Sequence, residues 1–568
     1  MTNEEFKKLK ADLWAAADQL RANSGLKSTE YATPILGLIF LRFAESKYSQ
    51  HEAEINAEYN RLKGTRIERD VHEIAIEKCG FYLPDEAKYN HLLNLPESEN
   101  LAQKVKEAMV AVEKFTTELE NTLPKDEYYS VNGKEDKTVL KKLLKNFKDI
   151  PDDISIDLFG EIYEYFLGNF ALAEGQGGGE FFTPSSVVRY MVEVLAPTEG
   201  KILDPACGSG GMFVQTAHYI KEHKHNGNDI NLRAYGVEKT GATVKLAKMN
   251  LALNNIRGTI TEANSYYLDP YDCFGAFDYV MANPPFNVDG VELDAVKSQP
   301  RFNTYGVPQN KTKKTKNTKG DKSENVPNGN YLWINMFATS LNEKGRAALV
   351  MANSASDAGH SEKEIRKKLI EEGLISQMLT MPKNMFSTVT LPATLWFFDR
   401  QKKNKDEILF IDARNVFTII DRAHVKFSDE QIKNLSMISR LYEGNIEAFN
   451  TLINEYKMNL EHAETEVEMK YWQSNIDWLT ERFPEGKYCD VLGLCKVAKI
   501  EGEDGISAQD YSLNPGRYVG VVMEEDGMTK EEFNAEMLRL NEELTTLNRT
   551  AQKLEGKINE NLLSLVSE

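Results

Sequence analysis

Two different rhythms of apolar and polar residues divide the chain. Up to about residue 170 the apolar positions recur with helical spacing, as in LWAAADQLRANSGL (13–26) and PILGLIFLRFAESKYSQHEAEI (34–55), and strand signals are sparse. From Lys201 short β-rich runs alternate with amphipathic helices: KILD, GMFVQTAHYIKEH, LRAYGVEK, GATVKLAKMNLALNN, GTITEAN and FDYVMAN. That alternation predicts a parallel sheet with helices on both faces. It continues through RAALVMANS, LISQMLTMP and ATLWFFDRQ to about Gln401, with EILFIDA (407–413) as a further candidate strand. After about residue 425 the helical rhythm returns. In the last stretch Thr529 and Glu532 form a capping box, and Phe533, Met537, Leu540, Leu544, Leu547, Ala551, Leu554 and Ile558 step by four and three residues alternately. Such a seam is the pattern of a coiled-coil helix that needs a covering partner, either its own domain or another chain.

The expected organisation is therefore a helical domain over 1–170, an α/β domain over 171–425, a mixed and mostly helical extension over 426–528, and a terminal helix over 529–568. With 568 residues, several domains are expected. No apolar run is long enough to span a bilayer, and MTNEEFKKLKADLW has no secretory pattern, which leads to the expectation of a cytoplasmic, non-membrane protein. The five cysteines are scattered without a CxxC pair, and neither a zinc site nor a disulfide framework is expected. A formal net charge of −19 disfavours a protein that grips nucleic acid with its whole surface, so any such grip must come from a local patch or a partner. The segment 310–330 carries six lysines from Lys311 to Lys322 without apolar period and reads as a loop, either phosphate-contacting or merely solvated.

Three features fall at strand ends. KILDPACGSGGMF places Asp204 at the end of a strand, followed by Gly208, Ser209, Gly210 and Gly211 and then a helix. The glycines permit close approach of backbone to a ligand, but the sequence is neither GxxxxGK[ST] nor GxGxxG, which disfavours ATP and lowers the odds on a dinucleotide. The next strand ends at Glu238, an acid suited to ribose hydroxyls. The fourth ends in Asn283, Pro284, Pro285 and Phe286, where two prolines must stop the strand and start a turn. Ligands of parallel sheets bind at this edge.

DPACGSGG and NPPF, in this order and spacing, resemble the cofactor and catalytic motifs of S-adenosylmethionine-dependent DNA adenine-N6 methyltransferases. GGGEFFTPSSVVRYMVEVL (177–195) resembles the segment that packs over the cofactor where it precedes the glycine motif. The helical N-terminal region and NPGRYVG (514–520) are similar to the modification subunits (HsdM) of type I restriction-modification systems.

The resemblance implies a Rossmann-like methyltransferase domain flanked by helical ends, with S-adenosyl-L-methionine as cofactor. It implies that Glu180, Phe181, Phe182, Thr183, Pro184 and Ser185 line the methionine end of the cofactor. Asp204 with Gly208 to Gly211 would line its amino and carboxylate region, and Glu238 the ribose. Asn264 stands where many relatives carry an acid, so its contact is open. The Asn283 side-chain oxygen and the Pro284 carbonyl would accept the two hydrogens of an adenine amino group, and Phe286 would stack on the base, flipped out of double-stranded DNA. The implied partners are that DNA, a specificity subunit, a second copy of the modification subunit, and a restriction subunit in a complete system. Two alternatives stand beside this reading: a methyltransferase for RNA or protein-glutamine amino groups, which share the NPP device, and an assembly subunit that binds the cofactor without catalysis.

Overall fold

The computed structural model describes residues 3–24, 28–116, 119–131, 138–151, 162–163, 165–170, 183–223, 231–309, 324–386, 392–422, 424–522 and 530–566. Its centre is a nine-stranded sheet built from β1 (Gly200–Asp204), β2 (Leu232–Glu238), β3 (Arg257–Glu262), β4 (Phe277–Ala282), β5 (Leu341–Ala352), β6 (Ile375–Thr380), β7 (Ala393–Asp399), β8 (Glu407–Asp412) and β11 (Cys495–Lys499). The order is β11-β8-β6-β7-β5-β4-β1-β2-β3.

The eight strand runs predicted from the sequence all form strands of this sheet, but it is not wholly parallel. Strand β7 lies antiparallel between β5 and β6, and β11 antiparallel beside β8. No helix separates β6 from β7 among the described residues, and neighbours joined without a crossover pair antiparallel. All other strands run the same way, so β1, β2, β4, β6 and β8 end at one edge. The chain runs outward from β1 to β3 and returns to β4 on the other side of β1, which makes the β1/β4 junction the switch point where such sheets bind ligands.

Burial follows the period of two expected for strands covered on both faces. In β5, Ala347, Leu349 and Met351 enter one apolar cluster, while Ala348 and Val350 enter the other. Helices Ser185–Leu195, Gly211–His223 and Asp429–Tyr442 cover the second face, and Asn330–Ser340 and His360–Glu371 the first. Residues 427–519 are therefore part of this body: their helices share its core, and Cys495–Lys499 supplies its ninth strand.

The N-terminal helices pack around a third cluster. Helix Ser28–Leu62 begins before the expected Pro34 and runs through it. Helix Gly241–Leu253 joins the two bodies of core: Val244, Ala247 and Leu251 face the sheet, whereas Met249 and Leu253 enter the N-terminal cluster. The Lys47 ammonium donates to the Leu253 carbonyl at 3.4 Å across this junction. This helix thereby fixes the N-terminal helices beside the β1 edge.

The chain divides into Met1–Val519 and Gly520–Glu568. In the second unit, helix Lys530–Val566 carries the predicted seam, and its large residues Phe533, Met537, Leu540, Leu544, Leu547, Leu554 and Ile558 are 45–60% exposed. Thr529 and the lysines of 310–323 lie outside the described residues. No described helix is long and apolar enough to cross a membrane.

Candidate active site

Strand β1 delivers Asp204 into the sheet edge, where the side chain is 1% exposed. Its Oδ1 accepts the Ala206 N–H at 3.0 Å, turning the chain sharply into the glycine loop. Burial, followed by the nearby Glu238 carboxylate, pushes the Asp204 carboxyl well above the usual carboxylate range, against the lowering effect of the Ala206 N–H.

The loop is held from three sides. Cys207 N–H donates to the Val237 carbonyl at 3.0 Å, Gly208 N–H to Glu238 Oε2 at 3.1 Å, and Asn250 Nδ2 to the Ser209 carbonyl at 2.9 Å. Gly208 and Gly210 both have positive φ, 51° and 84°. The glycines have separate tasks. A Cβ at Gly210 would lie 3.3 Å from Leu251 Cδ1, so this residue admits the loop against helix Gly241–Leu253 and does not line the cavity. Gly208 and Gly211 do line it, and a Cβ at either would meet nothing within 4 Å.

Glu238 is 9% exposed and stands behind the cavity wall. Besides Gly208, its carboxylate accepts the Thr240 N–H at 2.8 Å through Oε1, so it ties the β1 loop to the β2 turn. Asn264 is a turn former: its Oδ1 accepts the Tyr266 N–H at 3.0 Å, and it stands outside the cavity lining.

Asn283 follows β4 directly, half-buried, and Pro284 behind it is buried. The Asn283 Nδ2 donates to Thr183 Oγ1 at 3.0 Å, which joins the fourth strand end to the residue two before helix Ser185–Leu195. In this arrangement the amide nitrogen faces Thr183 and the carbonyl oxygen the other side. Pro184 precedes the helix with φ −56° and ψ 135°, and Ser185 opens it, exposed on the cavity side. Phe286 is half-buried and packs against both apolar clusters of the sheet. Beyond it Asn287 adopts a left-handed conformation with φ 54°, and its N–H donates to Asn330 Oδ1 at 2.8 Å. Asn330 Nδ2 and Asn328 Nδ2 donate back to Asn287 Oδ1 at 2.9 and 3.1 Å. Glu180, Phe181 and Phe182 lie outside the described residues.

Between these elements lies a cavity of about 430 Å³, which Thr183, Ser185, Asp204, Gly208, Gly211 and Asn283 share. The size falls in the roughly 300–1,000 Å³ range of small-molecule sites. A buried carboxyl, exposed loop backbone and space at Gly208 and Gly211 suit a ligand carrying positive charge and close-packed polar groups. Its far wall is formed by Ala32, Thr33 and Leu36 of helix Ser28–Leu62 with Leu167 and Phe170. That wall was missed from sequence, because helical spacing reveals which residues are covered and not what covers them.

Residues 154–527 match the N-6 DNA Methylase family, and residues 9–147 the HsdM N-terminal domain. The type I restriction enzyme MjaIX methylase subunit of Methanocaldococcus jannaschii is 32% identical over 97% of this chain and 90% of its own length. The HindI methylase subunit of Haemophilus influenzae is also 32% identical, over 87% and 97%. Among solved structures, a type I restriction-modification methyltransferase subunit from Streptococcus thermophilus superposes with a TM-score of 0.66 at 18% identity. That superposition covers 90% of this chain and 99% of the other.

Proposed function

The chain belongs to the N-6 DNA methylase family as a type I restriction-modification methylase subunit, an S-adenosylmethionine-dependent DNA adenine methyltransferase, and from that premise we propose how its residues perform the reaction. The RNA and protein-glutamine alternative loses its ground, because the likeness to type I methylase subunits runs through the helical N-terminal domain as well as the catalytic one.

The single observation that carries the residue assignment is the Asn283–Thr183 hydrogen bond between two residues that line the cavity. With its nitrogen committed to Thr183, the Asn283 amide presents oxygen to an incoming amino group. That oxygen and the Pro284 carbonyl accept the two hydrogens of the adenine N6, favouring a pyramidal nitrogen whose lone pair is directed into the cavity. No strong base is needed: alignment and stabilisation of the developing positive charge account for the acceleration. The prolines hold the carbonyl direction, and Phe286, backed by both clusters, offers a face for the flipped base.

S-adenosylmethionine, when bound, supplies a sulfonium-activated methyl group. Asp204 and the backbone of Gly208 and Ser209 would hold its amino acid end, Gly211 leaves the room, and Glu238 keeps the loop in place from behind the wall through the Gly208 and Thr240 N–H groups. Thr183 to Ser185 close the near side. Asp204 is positioned to become ionised opposite a cationic amino group.

The subunit works in an assembly with a specificity subunit that selects the sequence, a second methylase copy and, in a full system, a restriction subunit. The exposed seam of Lys530–Val566 is the joint to that assembly: covering each large seam residue contributes about 1.5–3 kcal/mol before association costs. The assembled protein, given labelled cofactor and DNA, is expected to yield N6-methyladenine at one sequence. Label recovered in RNA or protein instead would contradict the proposal.

A further inference from the structure

A second feature occupies the same strand-end edge. After β8 the chain forms a small hairpin, β9 (Thr418–Ile419) paired antiparallel with β10 (Val425–Lys426). It is tied to the loop after β6 by the Val425 N–H, which donates to the Asn384 carbonyl at 3.1 Å. Its turn is stiffened by Asp421, whose carboxylate accepts the His424 N–H and ring Nδ1 at 2.9 Å. Between hairpin and loop runs an open groove of about 660 Å³ lined by Lys383, Arg414, Phe417, Ile419, Arg422 and His424.

The charges there are unequal. Asp412 is engaged by Arg414 and Asp421 by His424. Lys383 and Arg422 are exposed, and among the described residues no salt bridge engages them. In a chain of net charge −19, two such cations in one groove, with Arg414 beside them, form a local site for polyanion. Phe417, Ile419 and Ile420 stand beside them with 38, 69 and 57% exposure. Strands are spaced by about 4.8 Å, so the ends of β6 and β8 lie roughly 14–19 Å along the edge from the end of β4. That is about half of the ~34 Å turn of B-DNA.

We propose that this hairpin groove is a DNA-backbone surface: Lys383 and Arg422 neutralise phosphates about half a turn from the adenine at Asn283, and Phe417 and Ile419 rest against the sugar edge. The inference rests on DNA being the substrate. Held at two places along one edge, the duplex keeps its register while a base leaves the stack.

The test is a salt titration of DNA binding by the assembled methylase, read by anisotropy of a fluorescein-labelled mixed-sequence duplex. Each phosphate contact contributes about 0.9 to the slope of log K against log salt. K383Q/R422Q is expected to flatten that slope by about 2, with S-adenosylmethionine affinity and assembly unchanged. R422Q alone, an exposed single change, is expected to flatten it by about 1 and serves if the double variant does not assemble. An unchanged slope overturns the groove assignment, and so does loss of assembly in R422Q, which makes the groove a protein-docking surface instead. Absence of DNA binding by the parent assembly overturns the substrate reading beneath it.

Discussion

Asn330, 3% exposed at the start of helix Asn330–Ser340, and Asn287, the residue after the NPPF turn, exchange hydrogen bonds in both directions. The Asn330 side chain accepts from the Asn287 main chain and donates to its side chain, fixing a left-handed residue beside Phe286. Asn tolerates that conformation better than most residues, which accounts for its presence there.

Asn330→Ala leaves the Asn287 N–H short of its acceptor, at a cost of about 1–3 kcal/mol in how firmly the turn is held. The single-turnover methylation rate is expected to fall by roughly tenfold to a hundredfold with cofactor affinity unchanged. Asn330→Asp keeps the acceptor and should recover part of the rate. A purely structural role would lower thermal stability in Asn330→Ala without this separation of rate from affinity.

The division of labour among the glycines is testable by pairing stability with binding. Gly210→Ala places a Cβ on a residue at φ 84° and 3.3 Å from Leu251 Cδ1, so it should lower the melting temperature through strain of about 1–2 kcal/mol. Gly211→Val has no such clash and begins a helix, so the fold should persist while calorimetry shows cofactor binding lost. The reverse pattern would exchange the two roles.

Asp204 gives a pH prediction of definite sign. Its folded pKa is raised, so the stability that it contributes is full below the unfolded carboxylate value and is lost as pH rises through the folded one. A cationic amino group beside it favours the ionised form, so binding expels its proton. Cofactor affinity should rise with pH across that window and then level off, and Asp204→Asn should bind more weakly and remove the rise. Proton release shows in calorimetry as heats that differ between buffers; a pH-independent parent would contradict the placement.

Removing residues 530–568 is expected to leave cofactor binding intact while weakening assembly, because the seam's apolar residues are exposed along helix Lys530–Val566. Size-exclusion chromatography of the co-expressed subunits checks this. Undiminished assembly would place the joint elsewhere.

The strands at the site could be read in advance because each carries a compact β-branched or aromatic run followed by a turn-former: Asp204-Pro205, Glu238 and Asn283-Pro284 all end strands where expected. Other features had no such signal. The bond between Asn287 and Asn330 spans 43 positions and follows no period. Strand Cys495–Lys499 is short and contains two lysines, so its alternation was too weak to distinguish from the helices before it. The left-handed glycines were visible only as a group, since φ and the position of Leu251 decide which of them faces the cavity. The wall from Thr33 and Leu36 depends on helix Gly241–Leu253 packing on both cores at once, a tertiary fact.

The central claim is that the Asn283 amide, oriented by Thr183, directs the adenine amino group for methyl transfer. The measurement that meets it most directly is single-turnover transfer of tritiated methyl to target DNA by the assembled complex, comparing the parent with Asn283→Ala and identifying the labelled nucleoside. The account predicts N6-methyladenine from the parent, and from the variant a rate lower by about a hundredfold or more at unchanged cofactor and DNA affinity. Equal rates in the two proteins, or label on a base other than adenine, would contradict it.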